Sequence, residues 1–249
     1  MGVNERQNRT ILFVHIPKTA GTTLRVLFTQ QYAQQPWFVI HHDIPRDKAI
    51  LAKTPVRERA SYRMIFGHMC WGWHQYIPEG RAYAYTTMLR DPIERTLSLY
   101  SHCRVSQHYL GAALRGHDVE WFLTSGVTGR ADNAMVRQLC GRDEFSKQEA
   151  WNDTLVPFGQ VTRADLEAAK ENLRRCALVG VSEHFDDYLD RGRTEFGWRF
   201  GGYQRANVTR WERLRQQDLT PKQRRAIERA NELDRELYDL AVELSRGQR

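Results

Sequence analysis

Three short segments carry residue types and spacings suited to holding an anionic group and moving it. The first, Pro17-Lys18-Thr19-Ala20-Gly21-Thr22-Thr23, ends an apolar run, Thr10–Ile16. A small-residue loop that enters a helix presents backbone N–H groups, and the helix N-terminus adds positive potential. Lys18 places an ammonium at the rim of such a cradle, and Thr22 and Thr23 add hydroxyl donors. A magnesium-binding nucleotide loop needs lysine right after its second glycine; here Lys18 precedes Gly21. The second segment, Leu89-Arg90-Asp91-Pro92-Ile93-Glu94-Arg95-Thr96-Leu97-Ser98, joins an arginine at a strand end to a serine two turns into a helix, a pairing suited to a second phosphate. The third, Gly67-His68, puts an imidazole where a general base near neutral pH could stand. Each also has a plain structural reading, as a strand-to-helix turn, a helix cap or a packed histidine.

These segments need a frame that brings strand ends together. Thr10–Ile16, Trp37–His41, Tyr62–Phe66, Tyr83–Leu89 and Ala177–Val181 are short, apolar and rich in β-branched or aromatic residues, which predicts five strands. Helical signals separate them: a charged stretch over Pro45–Arg59, a capping box at Asp91-Pro92-Ile93-Glu94, a start at Thr162 running to about Arg175, and a second box at Thr220-Pro221-Lys222-Gln223. Beyond it Ile227, Ala230, Leu233, Leu237, Leu240 and Leu244 recur at three and four, the stripe of an amphipathic helix. Strands alternating with helices predict an α/β fold, one domain over 1–249 with a central parallel sheet flanked by helices. In such sheets ligands bind beyond the carboxyl ends of the strands, where all three segments fall.

Composition narrows the partners. The chain has 249 residues, 37 Lys+Arg against 30 Asp+Glu (net +7), 41% hydrophobic and 27% charged residues, which excludes disorder and fibrous classes. A basic surplus suits an anionic partner, whether nucleic acid, an acidic polymer or a phosphorylated cofactor. The absence of a long apolar run and a polar N-terminus predict a cytoplasmic chain with no transmembrane segment. Four scattered cysteines and no CxxC pair predict reduced thiols and no zinc site. His41-His42-Asp43 lacks a third ligand, so no metal is expected. Trp71, Trp73 and Tyr76 beyond His68 could stack on a sugar or belong to the core. The arginine-rich stretch Arg199–Arg215 reads as a solvated face or as a loop over the nucleotide or the acceptor.

The residues also resemble a known family. His15-Ile-Pro-Lys-Thr-Ala-Gly-Thr-Thr23 is similar to the 5′-phosphosulfate loop of sulfotransferases that use 3′-phosphoadenosine 5′-phosphosulfate (PAPS). Arg90-Asp-Pro-Ile-Glu-Arg-Thr-Leu-Ser-Leu-Tyr100 is similar to their 3′-phosphate motif. Within them the sequence most resembles the branch of heparan sulfate and uronyl 2-O-sulfotransferases and their bacterial relatives (sulfotransferase family 2). Gly67-His68, Asp132-Asn133 with Arg137-Gln138-Leu139-Cys140-Gly141, Leu178–Glu183 and Leu219–Tyr238 extend the likeness. The resemblance implies a P-loop-like domain, PAPS as donor with the bisphosphate PAP as product, and no metal. It further implies Lys18 at the bridging oxygen, Lys18, Thr19, Gly21, Thr22 and Thr23 around the 5′-phosphate, Arg90 and Ser98 on the 3′-phosphate, and His68 as base. Trp71, Trp73, Asn133 and Arg137 become candidates for contacts to a saccharide or glycoconjugate acceptor, and no nucleic-acid partner is expected. At Phe66 the branch has a second histidine, a departure that argues against a heparan-like acceptor. A P-loop kinase of small metabolites and a non-catalytic polyanion binder are the competing readings.

Overall fold

The computed structural model describes residues 8–41, 43–105, 109–142, 154–202 and 214–247. Five strands, β1 (Thr10–Val14), β2 (Trp37–Ile40), β3 (Met64–Gly67), β4 (Tyr83–Leu89) and β5 (Leu178–Val181), form one sheet in the order β2-β3-β1-β4-β5. Every pairing is parallel. The predicted α/β architecture with a flanked central parallel sheet is the one observed. After β1 the chain moves toward one edge of the sheet and after β4 toward the other. Their carboxyl ends therefore flank the topological switch point, where such sheets bind ligands.

Strand alternation sorts β1 between the two faces. Ile11 and Phe13 pack on one face with helix α1 (Gly21–Gln31) through Leu24, Leu27 and Phe28. Leu12 and Val14 face the opposite layer. That layer holds α2 (Ile44–Lys53), α7 (Ala134–Leu139), α8 (Arg163–Arg174) and α11 (Glu232–Gly247). Helix α9 (Phe185–Phe196) joins α1 on the first face. A third cluster lies between α4 (Pro92–Val105), α5 (Tyr109–Ala113), α6 (Val119–Thr124) and α10 (Pro221–Ala230).

Two predicted elements are broken, for local reasons. The stretch Pro45–Arg59 forms α2 and α3 (Val56–Ser61) rather than one helix. Pro55 forces the preceding Thr54 into an extended conformation (φ −64°, ψ 133°), which ends α2. The C-terminal stripe is divided at Asn231, whose Nδ2 donates to the Ile227 carbonyl at 3.0 Å and whose Oδ1 accepts from Arg95 at 3.3 Å. These side-chain bonds draw the chain out of helical geometry between α10 and α11. The capping box at Thr220 forms as predicted, and the helix expected from Thr162 starts there with a capping box of its own. At Asp91 only half of the predicted box forms: its carboxylate accepts from the Glu94 N–H, while its own N–H donates to Glu183 and Glu94 pairs with Arg90. The four cysteines are buried and none forms a disulfide. No helix among the described residues is long and apolar enough to cross a membrane.

Candidate active site

The sheet order alone brings the three segments together. β3, β1 and β4 are neighbours, so their C-terminal extensions at His68, Lys18 and Arg90 lie side by side. Val14 pairs with Gly67, so the next residues, His15 and His68, leave the sheet in register. Parallel strands lie about 4.8 Å apart, and the two imidazoles stack at 4.3 Å between centroids with a 23° tilt. The imidazole beside His68 is thus that of His15 on the neighbouring strand. Phe66 is buried in the core and also stacks on His15, at 5.4 Å.

His68 is oriented by its backbone surroundings. Its Nδ1 lies 3.0 Å from the His15 carbonyl oxygen. A carbonyl can only accept, so the proton sits on Nδ1 and Nε2 is the basic nitrogen of the neutral ring. That is the arrangement a general base requires. Burial, then the charges of Arg25, Arg130 and Lys18, push the His15 imidazole down to about 3. His15 therefore stays neutral near pH 7. A proton taken up by His68 would meet a neutral ring rather than a second cation.

The loop after β1 is shaped for an anion. Lys18 and Ala20 hold left-handed backbone conformations (φ 74° and 67°), and Thr19 between them does not. Alternation of this kind turns successive N–H groups toward one point. Such geometry costs about 1–3 kcal/mol per non-glycine residue and persists where the surroundings enforce it. Part of that enforcement is the Thr19 hydroxyl, which is buried and donates to the Ile16 carbonyl at 2.8 Å. Thr19 thus shapes the loop with its side chain. Helix α1 begins at Gly21 with no capping side chain and no acidic residue in its first turn, so its N-terminal field is uncompensated there. Helix α4, one strand over, is the opposite case. The Asp91 carboxylate accepts from the N–H groups of Ile93 and Glu94, both at 3.0 Å. Of these two helix starts, the first, with no acidic residue in its first turn, is the better suited to an anion. Gly21 is required by packing: a Cβ there would lie 1.6 Å from the His15 Nε2.

Arg90 closes the group. Its Nη1 donates to the Lys18 carbonyl oxygen at 3.1 Å, and its Nη2 meets Glu94 at 3.2 Å. The guanidinium is thus fixed at the rim of the loop. Thr22 is partly exposed and Thr23 buried at the start of α1, and Ser98 is buried on α4.

Four candidate acceptor contacts are packed within the protein. Trp71 is 8% exposed and stacks on Tyr85 at 3.8 Å, and Trp73 is 2% exposed and packs edge-on against Tyr76. Both rings belong to the hydrophobic core on the same face as Leu12 and Val14. Of the two readings left open for these rings, the burial favours the core. Asn133 and Arg137 are structural. Asn133, left-handed at φ 42°, accepts on Oδ1 from the N–H groups of Leu233 and Asp234, capping α11. Asp234 returns the favour to α7, accepting from Met135 and Val136 at 3.1 and 2.8 Å. Arg137 is fully buried, pairs with Asp132 and donates to the carbonyls of Val156 and Pro157. Of the arginine-rich stretch, Tyr203, Arg205, Arg210, Trp211 and Arg213 lie outside the described residues. At its start Trp198 is buried and donates to the Tyr32 hydroxyl at 2.9 Å.

Sequence comparison agrees with the geometry. A profile of the Sulfotransferase family matches residues 3–241. Heparan-sulfate 6-O-sulfotransferase 1 of Homo sapiens is 26% identical over 280 residues, covering 94% of this chain and 65% of that protein. Heparan-sulfate 6-O-sulfotransferase 2 of Gallus gallus is 26% identical over 287 residues, covering 97% and 68%. Heparan-sulfate 6-O-sulfotransferase 1-A of Danio rerio is 25% identical over 276 residues, covering 93% and 63%. The chain spans about two thirds of the length of these curated relatives. With the family profile matching nearly its whole length, the chain belongs to the Sulfotransferase family.

Proposed function

We propose that the protein transfers a sulfuryl group from PAPS to a saccharide hydroxyl, with His68 as general base. The observation that carries the reading is the convergence of His68, Lys18 and Arg90 on three adjacent strand ends, with the His68 proton fixed on Nδ1. The residues fit a doubly phosphorylated donor: an uncapped helix start with a left-handed loop for one phosphate, and Arg90 for the other. Bound there, the donor supplies the sulfuryl group and a bisphosphate leaving group.

The chain's own residues do the rest. The backbone N–H groups around Gly21, Thr22 and Thr23 hold the 5′-phosphate, with Thr19 keeping the loop in shape. Arg90 holds the 3′-phosphate with Ser98 beside it. The Lys18 ammonium meets the charge that gathers on the leaving side. His68 Nε2 accepts the proton of the attacking hydroxyl, whose own pKa lies far above 7, and orients it for in-line attack. The names of the relatives support a sugar acceptor, and they are 6-O rather than 2-O enzymes. We therefore assign a saccharide hydroxyl and no ring position.

The test is incubation with sulfur-labelled PAPS and a heparan-type polysaccharide. Label should enter the saccharide. His68→Ala should abolish transfer while still binding adenosine 3′,5′-bisphosphate. Transfer retained in His68→Ala would remove His68 from the base role, and phosphoryl transfer from ATP–magnesium in its place would establish the kinase reading.

A further inference from the structure

Gln138, on α7, is fully buried and reaches the sheet edge from beneath. Its Nε2 donates to two carbonyl oxygens, those of His15 and Met69, each at 3.1 Å. Its own backbone carbonyl accepts from the Trp71 N–H at 2.7 Å. The first carbonyl is the one that His68 Nδ1 uses, and the second belongs to the residue after His68. One side chain therefore ties the end of β1 to the chain leaving β3, on either side of the candidate base.

The amide orientation follows from these partners. An NH₂ group has two hydrogens, and here it faces two acceptors. Turned over, the amide would set Oε1 against two carbonyl oxygens. Oε1 has no hydrogen-bond partner among the described residues. A buried acceptor left without a partner is unfavourable, so the two donated bonds hold the side chain in place. Glutamate, nearly the same shape, would place a carboxylate against both carbonyls. Helix α7 is itself fixed, because Asn133 caps α11 and Asp234 caps α7 in return.

We propose that Gln138 is a positioning residue for His68: by holding the His15 and Met69 carbonyls together it keeps the imidazole in one orientation and one tautomer. The proposal rests on the reading of His68 as the base. Gln138 lies too deep to meet the donor or the acceptor, so its removal should lower kcat and leave nucleotide affinity unchanged.

The experiment is Gln138→Met, which keeps the volume and removes both donors. Nitrogen NMR of histidine-labelled protein, with His68 assigned by the signal lost in His68→Asn, reads the tautomer directly. Wild type should show the Nδ1-protonated form alone, and Gln138→Met should show both tautomers. In the transfer assay kcat should fall on the order of tenfold to a hundredfold, the usual result of misplacing a reacting group by about 1 Å. Affinity for adenosine 3′,5′-bisphosphate should stay the same. A single tautomer or an unchanged kcat in Gln138→Met overturns the proposal. Should that variant not fold, couplings across the hydrogen bonds from the Gln138 side-chain nitrogen in wild type decide: both present supports the brace, and either absent refutes it. The tautomer measurement needs no turnover, so it stands apart from the sulfotransfer reading, which fails only if wild type transfers nothing.

Discussion

Gly21→Ala offers a perturbation whose size follows from the structure. The backbone at Gly21 has no left-handed requirement, so alanine is conformationally acceptable and would gain up to about 1 kcal/mol in helix propensity. The obstacle is steric. The new Cβ would lie 1.6 Å from His15 Nε2 and 2.2 Å from its Cδ2. No small adjustment relieves that approach, so the His15 ring must leave its place against Phe66 and His68. Overpacking of this kind costs about 1–3 kcal/mol, and the lost ring contacts add about 0.5–1.5 kcal/mol. The steric term wins, for a net loss of roughly 2 kcal/mol. In a chain of this size that is about 4–8 °C in melting temperature. Thermal unfolding followed by circular dichroism measures it. His15→Ala supplies the control: in that background Gly21→Ala should cost nothing or stabilise slightly, a strongly non-additive cycle. Melting at or above the wild-type temperature, or an equal loss with and without the His15 ring, would show that the ring does not exclude a side chain at position 21.

Other outcomes follow from the same geometry. Arg142 holds the Asp165 carboxylate through two bonds of 2.6 Å and, with Thr162, keeps it at about 2 against an ordinary 3.8. The folded value lies below the unfolded one, so the stabilisation, on the order of 2 kcal/mol, is complete above pH 4 and is lost as pH falls toward 2. Asp165→Asn should be less stable by that amount at pH 7 and converge with wild type near pH 2; an equal gap at both would contradict it. His15, held neutral down to about 3, stabilises fully above pH 6.5, and that contribution declines by up to about 1.4 kcal/mol per unit as pH falls. Urea unfolding from pH 7 to 4 should show a shallower slope in His15→Phe. Arg90→Ala should weaken adenosine 3′,5′-bisphosphate about tenfold to a hundredfold while 5′-AMP, lacking the 3′-phosphate, is little affected; equal losses for both by calorimetry would count against Arg90 as the 3′-phosphate contact.

The frame and the three segments were legible because their signals are local. Strand runs such as Tyr83–Leu89 are contiguous, and Thr162 and Thr220 announce helices through their own hydrogen bonds. The roles of His15 and Gln138 were not legible, because both depend on sheet order and register. Only once β3 lies beside β1, with Val14 opposite Gly67, does His15 stack on His68. Gln138 reaches the same carbonyl from 123 residues away. Spacing alone also left open which residues near a motif turn inward. Trp71 and Trp73 follow His68 closely and pack in the core, and Arg137 holds Asp132 and a distant loop. The short helices α6 and α7, six residues each, carry too little periodicity to be read from sequence.

In the proposed reaction the β1 loop and Arg90 together recognise an adenine nucleotide bearing a 3′-phosphate. Thermal stabilisation by adenosine 3′,5′-bisphosphate, beside 5′-AMP and ATP with magnesium, tests it most directly. At a ligand concentration a hundred times Kd the gain should be about 2.7 kcal/mol, enough for a clear rise in melting temperature. That rise is expected with the bisphosphate, a much smaller one with AMP, and its loss in Arg90→Ala. A rise with ATP–magnesium and none with the bisphosphate would contradict it.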